Sequence, residues 1–356
     1  MARTVAMTGN IGCAYAMKQI NPDVVAAYPI TPQTTIVEEF ANYVANGEVD
    51  TEYINVESEH SAMSACIGAS AAGSRVMTAT SSQGLAYMWE QLYIASAMRL
   101  PIVMHNVNRA LSGPINIHCD HSDSMGARDA GWVQLFSENA QEAYDNTIMA
   151  IRIAEDPSVR LPVMVLLDGF IVSHAIDRFD LLDHAVVREF VGEHRPVNPL
   201  LDLDNPVTLG SFSLPPYYFE QKRQLRAALD AARQVVKEVF DAYAAISGRR
   251  YDFFETYRLD DAEVGMVVLG STAGTARYAV DVLREKGVKV GLLKLRLFRP
   301  FPARGVARAL SHLKAVGVMD RSDSFGAEGG PVYTETKSAL YDLDKKPAVV
   351  GSLYLF

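Results

Sequence analysis

Glu59, Thr31 and Arg109 are the residues whose types and settings best suit chemistry in this sequence. Glu59, in "NVESEHSAMSACIGAS", opens a helical pattern of small residues that allows close packing against another surface. A carboxylate at a helix N-terminus has a routine explanation, because free N–H groups and the helix dipole favour it there. Its functional reading is a buried carboxylate facing a ring nitrogen of a cofactor. Arg109, in "HNVNRALSG", stands just after the apolar run "PIVMHNV", with Asn108 between. Its guanidinium is always charged and offers a planar fork to a carboxylate, although a surface salt bridge is the commoner fate. Thr31 stands in "AAYPITPQTT" between Pro29 and Pro32, whose rings end a strand and stiffen the turn that follows.

Three further motifs admit two readings each. "TATSSQGLAYMWE" puts a Thr/Ser/Gly turn before a helix; its free N–H groups suit a phosphate, or Ser82 is an ordinary cap. "NIHCDHSDSMGARDAGW" offers His118, Cys119, Asp120, His121 and Asp123 as ligands, yet a zinc site needs a second cluster and none follows. "GSTAGTA" lacks the Lys-Ser/Thr ending of a P-loop and the G-x-G-x-x-G spacing. A glycine turn that lets a strand and helix pack closely fits it better.

The elements that must position these residues alternate. Short apolar runs "DVVAAYP", "SRVMTATS", "LPIVMHNV" and "PVMVLLDGF" predict strands, with helices over "HSAMSACIGASAAG" and "GLAYMWEQLYIASAM". That order predicts a doubly wound α/β domain with a mostly parallel sheet, whose ligands sit at the carboxyl ends of strands. From 176 to 258 a proline-rich stretch and a long amphipathic helix predict an extension packed on the 1–175 core and reaching a partner. A second, smaller α/β unit is expected over 259–356, opening with strand, Gly-rich turn, helix and strand.

Composition narrows the class. With 356 residues, a net charge of −9 and scattered Lys and Arg, the chain is not built for nucleic acid or an anionic membrane. No apolar run reaches the roughly 20 residues that span a bilayer, and "MARTVAMTGNIG" lacks a signal-peptide pattern. Three widely spaced cysteines suit a reduced, cytoplasmic setting and are too few for a four-thiolate iron–sulfur cluster.

Taken in order, "YPITPQTT", "NVESEHSAMSACIGASAAGSRVMTATSSQG", "NRALSGPINIHCDHSDSMGARDAGW", "LPVMVLLDGFIVSH" and "LPPYYFEQKRQ" resemble the alpha subunit of pyruvate:ferredoxin oxidoreductase and related 2-oxoacid:acceptor oxidoreductases. "VLGSTAGTAR", "GLLKLRLFRPFP" and "DRSDSFGAEGG" are similar to the transketolase C-terminal-like domain of the same subunits. The resemblance implies a thiamine diphosphate (TPP) pyrimidine-binding fold over 1–258 followed by that smaller domain. It implies oxidative decarboxylation of pyruvate or a related 2-oxoacid, with electrons passed to ferredoxin and the acyl group to coenzyme A.

Residue by residue, the resemblance puts Glu59 on the aminopyrimidine, with Pro29, Ile30, Ser82 and Gln83 around the cofactor. It puts Thr31 and Arg109 on the polar groups of the 2-oxoacid. A Glu bonded to the pyrimidine ring nitrogen favours the imino tautomer, whose nitrogen can take a proton from the thiazolium. The G-D-G…N motif that holds Mg2+ and the diphosphate is missing. Asp168-Gly169 has Leu167 in place of the first glycine, and Asn198 is followed by Pro199, so the pair reads as a core strand and its turn. The diphosphate half is therefore expected from a beta subunit, and 4Fe–4S clusters from ferredoxin-like gamma and delta subunits. The last strand, "AVVGSLYLF", ends where the family often continues with a glycine-rich tail.

Alternatives remain at this stage. An aryl or branched-chain 2-oxoacid such as phenylglyoxylate would use the same head-group residues. A transketolase-type enzyme would keep the metal-diphosphate motif in the chain. A non-catalytic scaffold would keep only the fold.

Overall fold

The computed structural model describes residues 3–354, so Met1 and Ala2 of "MARTVAMTGNIG" and Leu355 and Phe356 of "AVVGSLYLF" lie outside it. The chain opens with β1 (Arg3–Thr8), α1 (Gly9–Ile20), β2 (Val24–Ala27), α2 (Thr34–Ala45), β3 (Glu52–Asn55) and α3 (Glu59–Ala72). It continues through β4 (Val76–Thr80), α4 (Ser82–Tyr87), α5 (Trp89–Ala97), β5 (Ile102–Asn108), α6 (Ser122–Gly126), β6 (Val133–Ser137), α7 (Ala140–Glu155) and β7 (Val163–Asp168). Then come β8 (Ile176–Leu181), α8 (His184–Val191), α9 (Pro215–Ser247), β9 (Phe254–Tyr257), β10 (Val264–Leu269), α10 (Thr272–Glu285) and β11 (Val290–Leu295). Last are β12 (Leu297–Arg299), α11 (Ala303–Leu310), β13 (Ala315–Asp320), α12 (Pro331–Leu340) and β14 (Ala348–Leu353).

The central sheet has the order β12-β6-β7-β5-β4-β2-β3, with all pairs parallel except that of β12 with β6. Every residue of β5 and β7 is buried, which is why both read as continuous apolar runs. The expected helix over 84–98 is two helices joined at Met88, and β1, β3, β6 and β8 were not anticipated. Strands β1 and β8 pair antiparallel in a separate ribbon.

A second sheet, β14-β13-β10-β11-β9, is parallel except for β9. Pairing crosses the expected 258/259 boundary in both directions. β9, before it, joins the second sheet, and β12, after it, forms the edge of the first. Helix α9 starts with Pro215 and Pro216, suited to a first turn, and its buried residues begin only at Ala228. The turns before Ala228 are largely exposed and meet the core through the half-buried Leu225.

Ion pairs buried between the two sheets' layers add to the apolar core. Lys294 Nζ lies 2.8 Å from Glu138, 2.5 Å from Glu142 and 3.0 Å from Glu255. Arg296 reaches Glu142 at 2.6 Å and Glu255 at 2.7 Å, and stacks 4.2 Å over the Tyr251 ring. Burial alone would push the Glu142 carboxyl up, but Arg296 and Lys294 more than offset that and hold it at about 2.

Candidate active site

Thr31 follows β2, Glu59 follows β3, Ser82 follows β4 and Arg109 follows β5, so the four leave the carboxyl ends of adjacent strands. The proline turn is clamped from three sides. Arg109 Nη1 donates to the Thr31 carbonyl at 3.0 Å. Asn10, on α1, donates to the Pro32 carbonyl at 2.7 Å. Gln33 accepts from the Ile30 N–H at 3.1 Å and donates to the Ala79 carbonyl, at the end of β4, at 3.0 Å. Pro29 and Thr31 are exposed and Ile30 half-buried, while Pro32 is buried. Gly169 makes the fit possible, because a Cβ there would meet the Asn108 carbonyl at 2.5 Å and the Pro32 ring at 2.9 Å.

Arg109 is buried, and its Nε donates to the Asn116 carbonyl at 3.1 Å. Among the described residues Nη2 has no partner, so that end of the fork can meet a ligand. The structure thus brings Thr31 and Arg109 together.

Glu59 is the first residue of α3, after the cap Ser58, whose hydroxyl accepts from the Ser61 N–H. It is only 8% exposed, and no hydrogen bond or ion pair reaches its carboxylate among the described residues. Glu59 Oε1 and the buried, unpartnered Thr80 hydroxyl both crowd Gly84: a Cβ there would lie 2.8 Å and 2.4 Å from them. The Thr80 hydroxyl is buried without a partner, and the Glu59 carboxylate beside it is open to an outside one. That donor-and-acceptor pair suits an amino-substituted ring with adjacent N–H and ring-nitrogen groups.

Ser82 is not the cap; Ser81 holds that position without a capping bond, its hydroxyl donating instead to the Val107 carbonyl at 2.6 Å. Ser82 sits at φ +48 in the left-handed region. Its N–H goes to Asp123 Oδ2 at 3.0 Å, and its hydroxyl lies 2.6 Å from the Ala110 carbonyl and 2.7 Å from Gln83 Oε1. The expected free N–H for a phosphate is therefore already taken at this residue. Gln83 is half-buried beside it.

The other motifs resolve differently. Cys119, His121 and Asp168 do gather within metal-ligating distance, but the Arg321 guanidinium takes the cation position. Its Nη1 lies 2.9 Å from Asp168 Oδ2 and 3.7 Å from Cys119 Sγ, and His121 Nε2 lies 2.8 Å from Asp168 Oδ1. Burial raises the Asp168 carboxyl, and His121 with Arg321 outweighs it, holding the group well below the usual range. "GSTAGTA" turns toward the same carboxylate, with the Ser271 N–H 2.9 Å from Asp168 and Gly270, at φ +67, allowing the approach. Asn198 cannot complete a G-D-G…N site with Asp168. Its neighbour Pro199 packs on Gly73, ahead of β4, whereas Asp168 ends the parallel strand β7, so the two lie at opposite ends of the strands.

Asn10, Gln33, Asn106, Asn108 and Arg321 escaped the sequence reading. The signal for two of them was present: asparagines inside the apolar run "PIVMHNVN" are polar groups placed for burial.

Comparison with known proteins adds independent findings. Residues 15–241 match the family described as "Pyruvate flavodoxin/ferredoxin oxidoreductase, thiamine diP-bdg". Residues 262–353 match "Pyruvate:ferredoxin oxidoreductase core domain II". Pyruvate synthase subunit PorA of Thermotoga maritima is 57% identical over 350 residues, covering 98% of this chain and 89% of that protein. Ketoisovalerate oxidoreductase subunit VorA of Pyrococcus horikoshii is 45% identical, covering 96% and 86%. A solved 2-oxoglutarate:ferredoxin oxidoreductase from Magnetococcus marinus shares the fold, with a TM-score of 0.77 at 20% identity. This chain is covered to 99% in that match and spans 63% of the solved chain. Both family regions occur here in order, and a relative with more than half its residues identical spans nearly the whole chain, so this protein belongs to the pyruvate flavodoxin/ferredoxin oxidoreductase family.

Proposed function

We propose that this chain is the α subunit of a TPP-dependent 2-oxoacid:ferredoxin oxidoreductase acting on pyruvate. The reaction takes pyruvate, coenzyme A and two oxidised ferredoxins to acetyl-CoA, CO2, two reduced ferredoxins and a proton. The observation that supports it most directly is the bond from Arg109 Nη1 to the Thr31 carbonyl at 3.0 Å, with the unpartnered Glu59 at the carboxyl end of β3, next to β2 in the same sheet. Because one relative is named for ketoisovalerate, a branched-chain 2-oxoacid is the second reading, and both use the same head-group residues.

When bound, TPP supplies the electron sink into which the 2-oxoacid loses CO2. Glu59 would hold a proton on the pyrimidine ring nitrogen through its carboxylate, with the Thr80 hydroxyl beside it. Arg109 would meet the substrate carboxylate through Nη2 while its other nitrogens keep the guanidinium fixed. The Thr31 hydroxyl is exposed and has no bond within the described residues, so it is free for the keto oxygen. Its carbonyl, held by Arg109, sets the distance.

Mg2+ and the diphosphate would be held by a beta subunit, since Asp168 is spent on His121, Ser271 and Arg321. The 4Fe–4S clusters belong to gamma and delta partners, because the three cysteines here are buried and separate. Reduced cysteines also suit a cytoplasmic enzyme. Among the described residues no helix is long and apolar enough to cross a membrane.

The test is Glu59→Gln in the assembled complex, assayed for pyruvate- and CoA-dependent dye reduction. Loss of a proton-holding carboxylate is expected to lower kcat by about 100-fold or more. Turnover within a few-fold of the unsubstituted complex sinks the role of Glu59.

A further inference from the structure

Asp123 stands at the centre of a hydrogen-bond cluster that links two of the site loops. It is 2% exposed, and no Lys, Arg or His among the described residues forms an ion pair with it. A buried carboxylate without a cation is costly unless N–H donors replace its water. Five N–H groups do so here. Oδ2 accepts from the Ser82 N–H at 3.0 Å, the Arg109 N–H at 3.1 Å and Asn106 Nδ2 at 3.0 Å. Oδ1 accepts from Asn108 Nδ2 at 2.8 Å and the Ser124 N–H at 2.7 Å.

We infer that Asp123 is the positioning residue that fixes the loop after β4 against the loop after β5, and so places Ser82 and Arg109 in the proposed site. One oxygen receives a main-chain N–H from each loop, so their separation is set by two hydrogen-bond lengths. Ser82 closes the link from the other side, its hydroxyl lying 2.6 Å from the Ala110 carbonyl. The same serine holds a backbone conformation, φ +48, that non-glycine residues seldom adopt without surrounding support. An apolar group at 123 would leave three main-chain N–H groups without this acceptor, those of Ser82, Arg109 and Ser124, and the two loops would shift to find others. A shift of about 1 Å at a substrate-binding group is enough to cost on the order of 100-fold in rate. The consequence for turnover rests on the functional reading above, whereas the loop geometry is independent of it.

The experiment uses Asp123→Asn in the assembled complex, with two readouts. The amide keeps one acceptor oxygen but turns an N–H group toward donors. Amide hydrogen exchange is expected to lose about tenfold or more protection over residues 80–86 and 107–113, with β6 and β7 unchanged. The KM for the 2-oxoacid is expected to rise about tenfold, with the KM for coenzyme A within about twofold. Asn106→Ala removes one donor from the same oxygen and is expected to give a smaller change of the same kind, about threefold. It decides the matter if Asp123→Asn fails to assemble. Exchange that is unchanged in both segments, or lost uniformly along the chain, overturns the inference. If the unsubstituted complex turns over no 2-oxoacid, the functional reading fails, and the exchange result still decides the role of Asp123.

Discussion

Gly84 illustrates how narrow the tolerances are at the level of one residue. Any Cβ at that position would press on the Thr80 hydroxyl at 2.4 Å and on Glu59 Oε1 at 2.8 Å. Contacts that short are repulsive, and the carboxylate of Glu59 is the part able to move away. Gly84→Ala is therefore expected to weaken TPP binding by the complex about tenfold, since displacing one bonded group costs roughly 1–2 kcal/mol. A TPP titration that finds the same Kd for both forms refutes that account. The glycine was visible in "TATSSQGLAYMWE", but its purpose was not, because the atoms it spares come from β4 and α3. Asp123 shows the converse. The sequence offers it only within a metal-like cluster that lacks a second set of ligands, and the fold uses it as an acceptor for five N–H groups.

Among the elements, the strand ends carry the site and a buried ion cluster ties the two sheets. Breaking a buried pair by removing one partner leaves an uncompensated charge, so Lys294→Ala is expected to cost roughly 3–5 kcal/mol in chemical unfolding of the purified chain. The same cluster sets the acid limit. Glu142 is held at about 2 when folded, below the ordinary range near ~4.3 of an unfolded glutamate. A depressed carboxyl gives its full stabilisation above the unfolded value and loses it as pH falls toward the folded one. The Tm should hold steady from neutral pH to about 5 and drop between about 4.5 and 2. A Tm flat across that window contradicts the cluster's role. The proline turn was legible at this scale because proline acts locally. The break at Met88 and the short strand β12 were not, since β12 exists only through its pairing with β6.

At the scale of the whole molecule, the proposed function calls for completion by another chain. Large apolar side chains stand exposed around the strand ends that carry the site: Tyr28, Tyr87, Trp89, Ile115, Ile117 and Ile171. The residues proposed for the pyrimidine ring lie there, while the acidic group at the end of β7 is neutralised internally by His121 and Arg321. The isolated chain is therefore expected to bind TPP at least about 100-fold more weakly than the reconstituted complex, as losing roughly 3 kcal/mol of contacts implies. Calorimetric titration of TPP into the chain with and without its partner measures the difference. Equal affinities would mean that this chain holds the whole cofactor.

By itself the sequence determined the alternation of buried strands and helices, the stiff turn at Thr31, and the candidates Glu59 and Arg109, because periodicity, proline and charge act over a few residues. Tertiary structure alone decided that the Arg109 guanidinium holds the Thr31 carbonyl, that Asp168 meets an arginine 153 positions later, and that Asp123 joins two loops. Those bonds connect segments far apart in the chain, and which donor meets which acceptor is settled only when the sheet brings its strand ends to one edge.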